Sequence, residues 1–137
     1  IPNNFILIVA IRQKPLNIDA MNAACKILFE YDDFTSFAKL HTDSKTNICK
    51  IYKAEWELLG NQLKFTISAD RFLRNMVRAI VGTMVEVGTG KITPDDLKKI
   101  IEDKFRNSAG VSAPAQGLFL VDVGYEFKLY LNLQIKI

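Results

Sequence analysis

An α+β layer, an antiparallel sheet with helices packed on one face, is the fold class this sequence predicts, and three observations carry the prediction. Residues 51–58 and 63–69 alternate apolar with polar side chains and are joined through Gly60, Asn61 and Gln62, which marks a hairpin. Helical spacing runs through Leu16–Glu30 and Arg71–Gly88, and a third helix start follows at Thr93. Near-continuous hydrophobicity from Leu118 to Val123 then predicts an interior strand. The order helix, hairpin, helix, helix, strand lacks the regular alternation of a doubly wound parallel fold.

The chain opens on an apolar run, Phe5 to Ile11, which is too short to span a bilayer, has no basic segment before it and reads as a strand. No initiator methionine precedes it, so we expect the 137 residues to be cut from something longer. They make one domain, with 1–14 and 126–137 set apart as tails whose place is left open. Met21, Ala24, Cys25 and Leu28 follow the i, i+3, i+4, i+7 pattern of an amphipathic helix, which Asn17 is placed to cap. Asp32 to Asn47 is polar and irregular, a loop with an exposed tip, anchored by Phe34 and Phe37. In the hairpin, Tyr52, Ala54, Trp56 and Leu58 face one way, and Leu63, Phe65, Ile67 and Ala69 form the apolar set of the second strand. Gly88 and Gly90 stop the long helix; Thr93 caps the next, Pro94 suits its first position, and Leu97, Ile100 and Ile101 give it an apolar side. Arg106 to Gly117 is a polar, small-residue connection to the last strand.

Composition excludes more than it identifies. With 49% hydrophobic residues and no repeat or low-complexity tract, the chain is globular. A net charge of +3 is compatible with a polyanionic partner without requiring one. Cys25 and Cys49 form no C-x-x-C pair and the chain has one histidine, so neither a zinc site nor a disulfide framework is indicated and a reducing, cytoplasmic setting is expected, with no membrane partner.

The stretch Arg71 to Gly88, RFLRNMVRAIVGTMVEVG, concentrates the chemistry. At 100° per residue, Phe72, Leu73, Met76, Val77, Ile80, Val81, Met84 and Val87 cover about half the helix, leaving Arg74, Arg78 and Gly82 in the remaining sector. An arginine on the margin of so buried a helix must reach water or an anion, and Gly82 leaves space beside Arg78. Two readings stand on residue types alone: a solvated stripe or a pair with a structural carboxylate such as Glu86, and an anion site built on Arg78.

RFLRNMVRAIVGTMVEVGTGKI resembles the signature of the tRNA pseudouridine synthase A family, in which a phenylalanine and an M-V-R triplet precede V-G and E-V-G. DFTSF, from Asp33 to Phe37, and APAQGLFLVDVGY, from Ala113 to Tyr125, resemble the same family in the same order. The likeness implies the carboxy-terminal half of an enzyme that isomerises uridine to pseudouridine in the tRNA anticodon arm, at positions 38 to 40, without cofactor or metal. In that family an aspartate of an R-T-D-A-G-x-H motif in the amino-terminal half attacks a flipped-out uridine, and a tyrosine stacks on the base. Neither motif occurs here. Asp43, in HTDSKT, lacks the A-G-x-H continuation and reads as a turn residue; His41 reads as a solvated loop side chain. By position, Arg78 matches the family arginine that pairs with the catalytic aspartate, and Leu118 matches an apolar residue of the base pocket, with core packing equally open to it.

Arg71, Arg74, Lys39, Lys45 and Lys91 are candidates for phosphate contacts. Tyr52, Trp56 and Tyr125 could stack on bases, although strand periodicity favours core packing. The resemblance implies a homodimer across which tRNA lies, and an amino-terminal half as partner, without which this chain is expected to be inactive. A non-catalytic RNA-binding module and a dimerisation module are the alternatives.

Overall fold

In the computed structural model residues 5–12, 15–39, 46–60, 62–113 and 118–123 are described. Strand β1 (Phe5–Arg12) precedes helix α1 (Ile18–Leu28), the hairpin of β2 (Ile51–Leu59) and β3 (Gln62–Ala69), helices α2 (Met76–Gly88) and α3 (Asp96–Asp103), and strand β4 (Leu118–Val123). The strands form one antiparallel sheet in the order β2-β3-β1-β4. The α+β expectation holds. β1, within the stretch set apart as an amino-terminal tail, lies between β3 and β4, pairing Phe5 with Ala69 and Ile11 with Leu118. Residues 126–137 lie outside the described residues. β4 was expected in the sheet interior, yet among the described residues it pairs with β1 alone. Strand hydrophobicity reports which faces are covered and says little about how many neighbours share the hydrogen bonds.

One face of the hairpin builds the core. Trp56 and Phe65 sit opposite each other and stack with ring centroids 4.5 Å apart, a pairing worth about 0.5–1.5 kcal/mol beyond its buried area. Met21, Ala24, Cys25 and Leu28 of α1, Ile80 and Met84 of α2, and Leu97 and Ile101 of α3 are buried in the same cluster. The inward placement of Tyr52 does not hold. Ile51 pairs with Ala69 and Lys53 with Ser68, so a bulge absorbs Tyr52 and reverses the alternation; its ring is 40% exposed, 5.8 Å from the Lys50 ammonium. Leu58, at the hairpin end, is exposed as well, while Trp56 is buried as expected.

β2 lies at the other end of the described sheet, and α1 covers part of it. Trp56 N donates to Asn22 Oδ1 at 2.8 Å and Asn22 Nδ2 donates to Trp56 O at 3.1 Å, so a side-chain amide takes the place of a neighbouring strand. Asn17 caps α1 as expected, its side chain accepting from Ala20 N at 3.0 Å. Thr93 and Asp96 exchange hydrogen bonds of 2.8 and 3.2 Å in a capping box before α3.

The DFTSF segment is a structural knot. Asp33 Oδ1 accepts from the amide and hydroxyl of Thr35 at 3.0 and 2.6 Å, while Phe34 and Phe37 are fully buried. Ser36 Oγ donates to Ile100 O at 2.6 Å and accepts from Phe105 N at 3.1 Å, fastening the end of α3 to the knot. The expected exposed tip, with Asp43 and His41, lies outside the described residues.

Burial pushes the thiols of Cys25 and Cys49 up to about 12. The fold thus keeps protons that the unfolded chain loses near pH 8.5, so their contribution is complete below that pH and drains away as pH rises toward 12. Both thiols are expected to resist Ellman's reagent at pH 8 in the native protein and to react in guanidinium; rapid labelling of either native thiol would contradict its burial. Burial alone would raise the Asp33 carboxyl, but the Thr35 hydrogen bonds, then Lys104, outweigh it and hold the group below its ordinary value. That stability is present above about pH 3.9 and is lost as pH falls through the lower folded value. Asp33→Asn should therefore lower Tm at pH 7 and narrow the difference from the parent at pH 2, measured by calorimetry.

Candidate active site

The long helix starts five residues later than its apolar periodicity predicts. Asn75 adopts a left-handed conformation, φ 66°, so Arg71–Arg74 form a non-helical lead and α2 begins at Met76. Phe72 and Leu73 are buried all the same, which is why the periodicity ran on through them. Arg74 therefore does not share a helix face with Arg78 and Gly82. Its carbonyl accepts from Lys39 N at 3.0 Å, and Arg71 Nη1 donates to the carbonyls of Thr46 and Ile48 at 3.0 and 3.3 Å.

Gly82 does leave room beside Arg78, and backbone fills it. A short turn, Arg106–Ser108, leads into residues 109–113, which lie as a strap along α2. A Cβ on Gly82 would collide with the Val111 carbonyl, and one on Gly110 with the Glu86 carboxylate. Gly110 N donates to Thr83 Oγ1 at 2.9 Å. Ala113 N donates to Arg78 O at 2.9 Å while Arg78 Nε donates to Ala113 O at 2.8 Å. Arg78 is thus held at backbone and side chain by one residue of the strap.

Arg106, unnoticed in the sequence, supports the strap from below. Its Nη1 donates to Gly110 O at 2.9 Å and its Nη2 to Ser112 Oγ at 2.7 Å; Asn75 Nδ2 donates to the same Oγ at 2.7 Å. Burial lowers the Arg106 pKa from its ordinary value, though a guanidinium stays charged at any accessible pH. Arg78, Arg106, Asn107, Ala109, Gly110, Val111 and Ser112 line an open groove of about 610 Å³, and none of these described lining residues is acidic. Among the described residues no carboxylate pairs with Arg78; Glu86, the structural partner considered for it, lies against Gly110. Two guanidiniums among the lining residues give the groove a positive character.

The other expected residues are dispersed. Lys39 is exposed beside Arg74, and Lys91 is exposed beyond the far end of α2, roughly 20 Å along the helix. Leu118 is the first residue of β4, paired with Ile11, and its side chain lies outside what is described; so do Lys45 and Tyr125. One signal for Arg106 was present: it is the sole charged residue between positions 106 and 117. Among the described residues, no three His, Cys, Asp or Glu side chains stand together as metal ligands, and no helix is long and apolar enough to cross a membrane.

Fold and groove together define a class: an α+β domain with an arginine of a buried helix at the edge of an open groove. The model of the tRNA pseudouridine synthase family matches residues 24–126, and the chain belongs to that family. It is 59% identical over 115 residues to the tRNA pseudouridine synthase A of Parabacteroides distasonis, covering 84% of this chain and 46% of that protein. The Bacteroides fragilis enzyme of the same name is 59% identical over 117 residues, 85% of this chain and 46% of the relative, and the Bacillus subtilis one 40% identical over 111 residues, 81% and 45%. The chain spans about half the length of these curated relatives.

Because a Cβ at position 82 would displace the strap, Gly82→Ala is expected to destabilise the fold by about 1–3 kcal/mol, read as a lower denaturant midpoint. An unchanged midpoint would show that the strap yields without cost.

Proposed function

We propose that this chain is the carboxy-terminal half of a tRNA pseudouridine synthase that isomerises uridine in the anticodon arm, at positions 38 to 40. One observation carries the reading: Arg78 is fixed through its Nε at the edge of an open groove and has no carboxylate partner among the described residues. Its role is to pair with the nucleophilic aspartate of an R-T-D-A-G-x-H segment, which these 137 residues do not contain and an amino-terminal half supplies. The pair keeps the aspartate ionised, and a guanidinium donates to both carboxylate oxygens as an ammonium cannot.

The reaction needs no cofactor. The aspartate bonds to C1′ as the bond from C1′ to N1 breaks, the base turns, C5 displaces the aspartate from C1′, and the C5 proton is lost to solvent while N1 takes one up. The target nucleotide first leaves the stack, at a cost of a few kcal/mol that contacts elsewhere on the RNA offset. Leu118 belongs to the base pocket, and Arg71, Arg74, Lys39, Lys45 and Lys91 supply phosphate contacts spread along the tRNA. The complete enzyme works as a cytoplasmic homodimer with tRNA across both subunits.

Tritium release from tRNA labelled at C5 of uridine tests this, using the chain alone and joined to the R-T-D-bearing half of the Parabacteroides relative. Release is expected from the joined protein only. Release from the chain alone would place a nucleophile within it, and none from either would favour a binding module. In the joined protein Arg78→Lys should lower turnover about 100-fold or more while the protein still folds, with a small loss of Tm from the missing Ala113 bond; near-normal turnover would remove Arg78 from the site.

A further inference from the structure

Both arginines line the same groove, yet they are engaged in different ways. Arg78 is held through Nε, which leaves its terminal nitrogens toward the groove, whereas Arg106 turns both terminal nitrogens onto the strap. Like charges sharing a groove repel, so the second guanidinium needs a structural reason to be there. Its two acceptors, Gly110 O and Ser112 Oγ, flank the exposed Val111 and lie just before Ala113, whose carbonyl orients Arg78.

We propose that Arg106 is a positioning residue: it fixes the curvature of the 110–113 strap so that the Ala113 carbonyl meets Arg78 Nε, and thereby sets where the free end of Arg78 points. This rests on the reading of Arg78 as the partner of an incoming aspartate. Two diverging bonds from one rigid plane fix the separation of Gly110 and Ser112, which a lysine's single ammonium cannot do. The clamp has firm footing on both sides. Phe105, just before it, is hydrogen-bonded to Ser36 in the DFTSF knot, and Ser112 is bonded to Asn75 at the head of α2. Gly110 N is fixed to Thr83 a turn beyond Arg78. Removing Arg106 leaves the strap joined to α2 at Gly110 and Ala113 and to Asn75 through Ser112, but no longer fixes the Gly110 carbonyl or the spacing from Gly110 to Ser112, and Arg78 inherits the slack.

The experiment uses the joined synthase under single-turnover conditions, where slow variants stay measurable, with tRNA affinity and Tm recorded in parallel. Arg106→Ala and Arg106→Lys are each expected to slow tritium release about 10- to 100-fold, with tRNA affinity changed by less than about twofold. In an Arg78→Ala background, adding Arg106→Ala is expected to slow release no further, since its effect passes through Arg78. Ser112→Ala, which keeps both arginines and removes the acceptor that Arg106 and Asn75 share, should give a smaller loss that is likewise silent in the Arg78→Ala background. It carries the test where Arg106→Ala fails to fold. Losses that multiply with those of Arg78→Ala, or that appear in tRNA affinity, would overturn the proposal by making Arg106 a direct RNA contact; unchanged rates would overturn it outright. Near-normal release from Arg78→Ala alone would instead sink the role given to Arg78, a result distinct from every Arg106 outcome.

Discussion

The contact of the 109–113 strap with α2 at Gly82 is the constraint on which the rest of the site depends. Backbone comes this close to a helix only where no Cβ intervenes. Once there, the strap brings its own polar groups, and each must be paired on a surface that is otherwise apolar. Thr83 meets one, the carbonyl of Arg78 another and the Arg78 side chain a third. An arginine at this position thus does two things. One nitrogen satisfies buried backbone, and the remainder of a delocalised cation faces an open groove.

That division matters because a guanidinium tethered at one end loses most of its rotamer freedom before any partner arrives. The entropy that a surface arginine surrenders on pairing, up to about 2 kcal/mol, is here largely lost on folding. The platform beneath is correspondingly stiff: α2 is buried along most of its length, its start is bonded through Asn75 to the strap and its end through Gly88 O to Asn17 at the head of α1. Behind it, stacked Trp56 and Phe65 and the Asn22 amide on β2 keep the sheet from shifting in register. Preorganisation of this kind is what electrostatic catalysis requires of a charged group.

Much of this was legible in the residues. Periodicity located the hairpin, α1, α3 and the buried side of α2, and Gly82 beside Arg78 marked the open sector. Periodicity failed where a local event changes phase: the bulge at Tyr52 and the left-handed Asn75 each move side chains to other faces without altering composition. The strap was invisible for a different reason. Its residues are small, as in many connections, and its meaning comes from Thr83 and Arg78, some thirty positions earlier in the chain. DFTSF carried the opposite lesson. A motif met through resemblance to an enzyme family proves to be a packing device, with both phenylalanines buried and both hydroxyls spent on hydrogen bonds.

On the proposed reading, an arginine with no carboxylate partner among the described residues also couples assembly to activity. Two guanidiniums lining one groove disfavour each other, and a carboxylate arriving there would relieve that repulsion while gaining a charge-assisted, two-pronged contact. On the proposed reading the carboxylate is the nucleophile itself, so the interaction that docks the two halves also sets the protonation state on which the chemistry depends. A nucleophile and its orienting cation carried on separate halves then form a competent pair only when both halves are folded and seated together. On the same reading, a carboxylate paired with Arg78 in advance would leave the incoming aspartate without its partner.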